Sequence, residues 1–243
     1  MRYLAFFLAL VLAPAVLHAQ SEDPIQILID KNKDAEAFVE AQASADEGDP
    51  RGHEWLGWMY DNARGVEADL ELAVYHYRVA IRGGQNFARW RLGVLIDKGK
   101  TQGTLEEAVA LFEAAAQEDF SRAVVSLAVM KATGRGTAVD YPGALENYMR
   151  AAGLGNAHGI QGVGVLLMLG QGVEKDPAEA AAWFLASALA GNAVGEANFQ
   201  RAVDGMSEEE VELIIARANE LANELGIKNE AVFESDPIEE PAG

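Results

Sequence analysis

A period of about 36 residues runs through this chain, and few folds carry such a period. Small residues recur at Gly57, Gly93, Ala128 and Gly164, at spacings of 36, 35 and 36. Ala73, Ala108, Ala144 and Ala180 follow the same rhythm, as do the aromatics Tyr77, Phe112, Tyr148 and Phe184. Candidate helix caps keep it too, at Asp69, Thr104, Asp140 and Asp176. Four marks with one period point to a solenoid. One helix pair cannot bury its apolar face alone, whereas stacked pairs share a continuous core. The small residues then let helices approach closely, and the aromatics fill the space between layers. These marks serve packing and carry no direct chemistry.

The unit is clearest from Ala157 to Ala190. Gly170-Gln171-Gly172-Val173 breaks a helix, because glycine is unfavourable inside helices and tolerates positive φ. Asp176 is placed to accept a hydrogen bond from an orphan backbone N–H. Pro177 suits the first helical position, and Glu179 lies three residues after Asp176, as in a capping box. The second helix therefore starts at about Asp176 and ends near Gly191, a left-handed C-cap.

The motifs LGWMYDNARGVEADLELAVYHYRVA (Leu56 to Ala80), LAVMKATGRGTAVDYPGALENYMRAA (Leu127 to Ala152) and VGVLLMLGQGVEKDPAEAAAWFLASA (Val163 to Ala188) repeat one pattern. A small residue is followed by a glycine-rich loop, a capping Asp, an aromatic and an alanine pair. This resembles the Sel-1-like repeat family, relatives of the tetratricopeptide repeats, over roughly residues 35–226. The second repeat departs in its loop, Gly99-Lys100-Thr101-Gln102-Gly103-Thr104, which lacks the valine and is one residue shorter. The expected fold is all-α, a right-handed α-solenoid of helix–loop–helix repeats.

Taken in order, Met1 to Gln20 has the form of a secretory signal peptide, with one basic residue and an apolar run from Tyr3 to about Ala13. Cleavage is expected after Ala19, with Ala15 as the alternative. An uncleaved anchor would be shorter than the ~20 apolar residues a span needs. Residues 20–33 read as a spacer with one turn around Pro24 to Ile29. Residues 34–48 read as a half-repeat that caps the N-terminal layer. Four repeats follow, 49–84, 85–119, 120–155 and 156–191. Residues 192–226 form C-terminal capping helices, the last opened by a capping box at Ser207-Glu208-Glu209-Glu210. Its apolar face is Val211, Ile214, Ile215, Ala218, Leu221, Ala222 and Leu225. Residues 227–243 are acidic, carry two prolines and read as a disordered tail. The expected location is periplasmic or secreted.

Composition narrows the function. The formal charge is −19, and −20 without the leader and its Arg2. Such a surface repels phosphate backbones, so nucleic-acid binding is not expected, and docking on anionic lipid is disfavoured. There is no cysteine, which removes disulfides, thiolate metal sites and thiol nucleophiles. His53, His76 and His158 fall at different repeat positions. The His53-Glu54 pair begins like a zincin, but Gly57 stands where the second histidine would be needed. No serine-hydrolase or phosphate-loop motif occurs, and the Gly-x-Gly pairs lie between helices without the strand that a dinucleotide site needs. No catalytic residue, metal or cofactor is assigned.

Surface recognition remains. Solenoid curvature makes a concave groove, and in the resembled family the first helix of each repeat lines it. Carried over by position, the groove residues are Arg51, Glu54, Trp58 and Asp61 in the first repeat. Phe87, Trp90, Val94 and Asp97 follow in the second, and Arg122, Val125 and Val129 in the third. His158, Gln161, Val165 and Met168 come from the fourth, and Arg201 from the capping helix. Aromatics and arginine are the usual hot-spot residues. The resemblance implies an exported, non-catalytic scaffold that binds another protein or peptide of the cell envelope, restraining a sensor or assembling a complex. A peptidoglycan- or glycan-binding module is the alternative, because tryptophan faces also stack on sugars.

Overall fold

A computed structural model describes residues 23–227. The signal-peptide reading and the acidic tail from residue 228 lie outside the described residues. Twelve helices and no strand occur among the described residues: α1 (Pro24–Asp30), α2 (Asp34–Asp46), α3 (Pro50–Asn62), α4 (Leu70–Arg82), α5 (Asn86–Asp97) and α6 (Leu105–Gln117). They continue with α7 (Ser121–Thr133), α8 (Tyr141–Gly153), α9 (Ala157–Leu169), α10 (Pro177–Leu189), α11 (Ala193–Ala202) and α12 (Glu208–Glu224).

Each helix packs on the next in sequence from α1 to α11, and α12 returns to pack on α10. The odd-numbered helices α3, α5, α7 and α9 also touch one another in succession, so they form a row. Six helix pairs stacked this way make a right-handed α-solenoid.

The periodic marks hold this stack together. A methyl added at Gly57 would meet the ring of Tyr77 at 2.6 Å, one at Gly93 the ring of Phe112 at 2.6 Å, and one at Gly164 the ring of Phe184 at 2.8 Å. The absence of a side chain there lets the aromatic lie against the helix backbone. The third repeat is different: Ala128 replaces the glycine, and the ring of Tyr148 lies instead against Gly162 of the following repeat. A further mark on the same rhythm is Gly52, Ala88, Ala123, Gly159 and Gly195, all buried. Gly52, Gly159 and Gly195 press on the C-terminal parts of α2, α8 and α10. These positions set how closely each odd helix approaches the even helix before it.

The loop glycines have a related duty. Gly65, Gly136 and Gly172 lie at positive φ, and each is pressed against the first turn of the preceding even helix, at Asp34, Leu105 and Tyr141. The offset is 31 residues each time. Only glycine fits a left-handed turn with backbone this close.

Three expectations change. The spacer contains a helix, α1, whose N-cap Asp23 accepts from the backbone N–H of Ile25 at 2.9 Å. Glu179 does not complete a capping box with Asp176. Asp176 does cap, accepting from the N–H groups of Ala178 and Glu179, but the Glu179 carboxylate turns to Arg217 of α12 and to the indole N–H of Trp183. Ile215 faces outward, 37% exposed, because the buried stripe of α12 is Ile214, Ala218, Leu221 and Ala222. The capping box at Ser207 and Glu210 is formed.

Candidate functional site

The row of odd helices carries the residues predicted to line a groove; several bond between repeats, and Trp90 and Asp97 of these also line a cleft. Glu54, Trp90 and Gln161 occupy equivalent places in their repeats, and each bonds into the next one. Glu54 accepts from the backbone N–H of Ala88 at 3.1 Å. Trp90 donates its indole N–H to Ser126 Oγ at 3.1 Å. Gln161 accepts from the side-chain amide of Asn192. Neighbouring helices lie only 8–10 Å apart, so a side chain on this stripe reaches its neighbour before it reaches solvent. Asp61 and Asp97, also equivalent, do the same with charge. Asp61 pairs with Arg91 of the second repeat at 2.5 Å, and Asp97 with Arg135 of the third at 2.5 Å.

Trp58 requires a correction. It is 2% exposed and belongs to an apolar cluster with Leu56, Met59, Ile25 and Ile29. Its ring meets Trp55 edge-on, and the guanidinium of Arg64 lies 5.5 Å from its centre. It is a core residue. Ile25 and Ile29 of α1, the short helix within the expected spacer, belong to the same cluster. Arg51 is exposed and paired with Asp23, the N-cap of α1. His158 is exposed at the start of α9, and its backbone N–H donates to Asn156. Arg201 is exposed on α11 and reaches Asn198.

Part of the predicted set comes together. Between α5 and α7 lies a cleft of about 280 Å³, lined by Trp90, Val94, Asp97, Val125, Val129 and, beyond the predicted set, Arg91, Lys98, Phe112, Ser126 and Met130. Phe87 packs on Trp90 with ring centres 5.6 Å apart, and Phe120 flanks it at 6.2 Å. Arg122 lies over the Trp90 ring at 5.3 Å, a cation–π contact. The apolar side chains of the cleft are joined by Arg91, Asp97 and Lys98, and Arg122 lies beside it at the Trp90 ring. This local chemistry contrasts with the acidic chain as a whole. Residues 86–100 and 121–135 hold seven basic residues and one acidic residue, Asp97.

Two places with shifted titration lie in the first repeat. Burial raises the Glu54 carboxyl to about 7, against the opposing pull of the Ala88 N–H and Arg51. His53 and His76 are brought together, Nδ1 to Nδ1 at 2.9 Å, with Tyr60 stacked on His76. Burial and the charge of His53 lower His76 to about 4. Sequence spacing gave no sign of this pair, because 53 and 76 fall on different helices of the hairpin. No group of three or more His, Asp or Glu side chains suited to a metal occurs among the described residues. No described helix is long and apolar enough to cross a membrane.

A row of helical hairpins with a small cleft between two first helices defines an α-solenoid of the interaction-repeat class. The Sel1 repeat matches residues 50–85, 87–120, 121–156 and 157–192, more than half of the chain. The chain belongs to the Sel1 repeat family, whose repeats mediate protein–protein interaction. Among solved structures, it is similar to a protective antigen present in uropathogenic Escherichia coli strains and displaying an SLR fold. That match has a TM-score of 0.74 and 22% identity, and it covers 85% of this chain and 45% of that one. A Sel1 repeat protein from Oxalobacter formigenes matches with a TM-score of 0.69 and 23% identity over 82% of both chains. This chain thus spans about half the length of the first of these relatives. No curated protein matches the sequence.

Proposed function

We propose that this protein is an exported, non-catalytic scaffold that captures a protein partner of the cell envelope, with the α5–α7 cleft as its principal contact. The carrying observation is the cleft itself: apolar side chains of Trp90, Val94, Val125 and Val129 with Lys98 among its lining, and Arg122 beside it at the Trp90 ring. Aromatic and arginine anchors around a desolvated pocket are the usual centre of a protein interface. These two cations favour a partner segment that presents an apolar anchor beside a carboxylate.

Glycan binding is less well supported. Trp58 is buried, and the Trp90 ring is flanked by Arg122, Phe87 and Phe120. Neither offers the open indole face that sugar stacking uses. Export rests on the leader pattern of residues 1–20, and the envelope location on that leader.

A photo-crosslinking residue placed at Val94 in intact cells tests the reading. One dominant envelope protein, absent when the crosslinker is moved to Met149 on α8 and lost on Arg122→Glu, is the expected result. Equal capture from both positions, or recovery of wall fragments alone, would overturn it.

A further inference from the structure

The helix α1 breaks the construction of the row it begins. It has seven residues where the other odd helices have ten to thirteen, and only Lys31 to Lys33 join it to α2. A helix this short does not hold without packing. Its packing is small and specific. Ile25 and Ile29, each 5% exposed, enter the cluster of Leu56, Trp58 and Met59 on α3 and Ala37 and Ala41 on α2. Asp23, the N-cap, ties the helix to α3. Its carboxylate pairs with Arg51 and accepts from the indole N–H of Trp55 at 3.0 Å.

The cluster that α1 enters holds one unmet donor. Trp58 Nε1 is buried and has no hydrogen-bond partner. Buried N–H groups are seldom left so, since each forfeits its bond to water. The arrangement with α1 in place therefore leaves this cluster less than fully satisfied.

We propose that α1 is a displaceable occupant of a helix-docking site formed by α2 and α3, and that a partner's amphipathic helix of the same chemistry replaces it. The occupant is defined by what already sits there: an acidic N-cap for Arg51 and Trp55, followed by two aliphatic residues four apart for the cluster. A tethered α1 competes at a high effective concentration, so the site stays closed to weak ligands. This inference is independent of the α5–α7 cleft, and either stands without the other.

Hydrogen exchange on the full mature chain gives the first test. Amides of α1 should exchange at least tenfold faster than those of α2 and α3. The second test uses a fluorescent synthetic peptide of residues 21–33, SEDPIQILIDKNK. It should bind the Ile25→Asp/Ile29→Asp variant, whose own α1 is released, at least tenfold more tightly than wild type. The peptide carrying Asp23→Ala should bind more weakly. Equal protection of α1 and α3, or equal peptide binding by both proteins, would overturn the proposal. So would dimerisation of the wild-type chain by exchange of α1, which would make a second copy the occupant. If the double variant loses its helical circular dichroism, the exchange rates of the wild type decide alone.

Discussion

The carboxylate of Glu54 accepts a hydrogen bond from the backbone N–H of Ala88, 3.1 Å away, across the boundary between the first and second repeats. Burial dominates its titration and raises it from 4.5 to about 7. The folded chain therefore holds a proton that the unfolded chain releases between these values. Linkage then makes stability fall as pH rises from about 4.5 to 7, and level off above 7. The ceiling on this loss is about 3 kcal/mol at 1.4 kcal/mol per pKa unit. Glu54→Gln keeps an acceptor for Ala88 and removes the charge. The variant should gain stability relative to wild type as pH rises through this window, and the difference should vanish near pH 4. Urea unfolding at pH 4, 5.5 and 7.5 measures it. Parallel curves at all three would refute the assignment.

His76 titrates with the opposite sign. Burial, reinforced by the charge of His53, lowers it from 6.5 to about 4. The unfolded chain binds the extra proton, so stability is full above about 6.5 and is lost as pH falls toward 4. His76→Phe keeps a ring against Tyr60 and should abolish that loss, flattening the acid side of the melting-temperature profile. An acid limb unchanged in the variant would place its origin elsewhere.

Gly57, Gly93 and Gly164 make an exposed-helix expectation fail. In an open helix Gly→Ala is stabilising by up to about 1 kcal/mol. Here the new methyl would lie 2.6 to 2.8 Å from an aromatic ring. Each substitution should destabilise by about 1–3 kcal/mol, the range for overpacking. Gly153→Ala, with open space around it, is the control and should not destabilise. Thermal melts of the four variants give the comparison.

Asp61 and Arg91 form a nearly buried pair, 6% and 10% exposed, and Asp61 also accepts from the Tyr77 hydroxyl at 3.2 Å. Removing one partner leaves the other charge buried, a loss of about 3–5 kcal/mol. Asp61→Asn or Arg91→Met should each approach that figure. The double variant should lose less than the two added together. Additive losses would show that the pair is not coupled.

What the sequence made legible was the stack, because the period repeats in residues whose size matters. Gly57 and Tyr77, or Gly164 and Phe184, read as packing marks and touch as such. The cleft was legible in part: Trp90, Val94, Asp97, Val125 and Val129 follow from counting along the first helices. Lys98, Ser126 and Met130 escaped, since they lie one step off the counted stripe and face the cleft only through the spacing of α5 and α7. Helix phase also hid the inter-repeat bonds. Glu54 and Gln161 share the stripe of Trp90, and whether such a side chain meets solvent or the next helix depends on a distance that no single repeat encodes. Trp58 shares its cluster with α1, whose seven residues carry no repeat signature, and the His53–His76 contact depended on the turn between two helices.

Trp58 and the cations at the cleft now separate stability from recognition. Trp58 is 2% exposed in a packed cluster, so Trp58→Ala opens a cavity and should cost about 3–5 kcal/mol. Any partner capture lost with it would follow from the lowered melting temperature. Lys98 is exposed and Arg122 lies over the Trp90 ring beside the cleft. Surface substitutions away from buried features change stability by about 0.5 kcal/mol. A Lys98→Glu/Arg122→Glu variant should therefore melt within a few degrees of wild type, less the contacts the two side chains make, the Arg122–Trp90 cation–π among them. It should nevertheless lose the Val94 crosslink, since two reversed charges at the cleft repel an acidic partner segment. The two measurements, melting temperature and crosslink yield, are made on the same preparations. Loss of the crosslink at unchanged stability would locate recognition at the cleft. A crosslink that survives the charge reversal would move the binding surface away from α5 and α7.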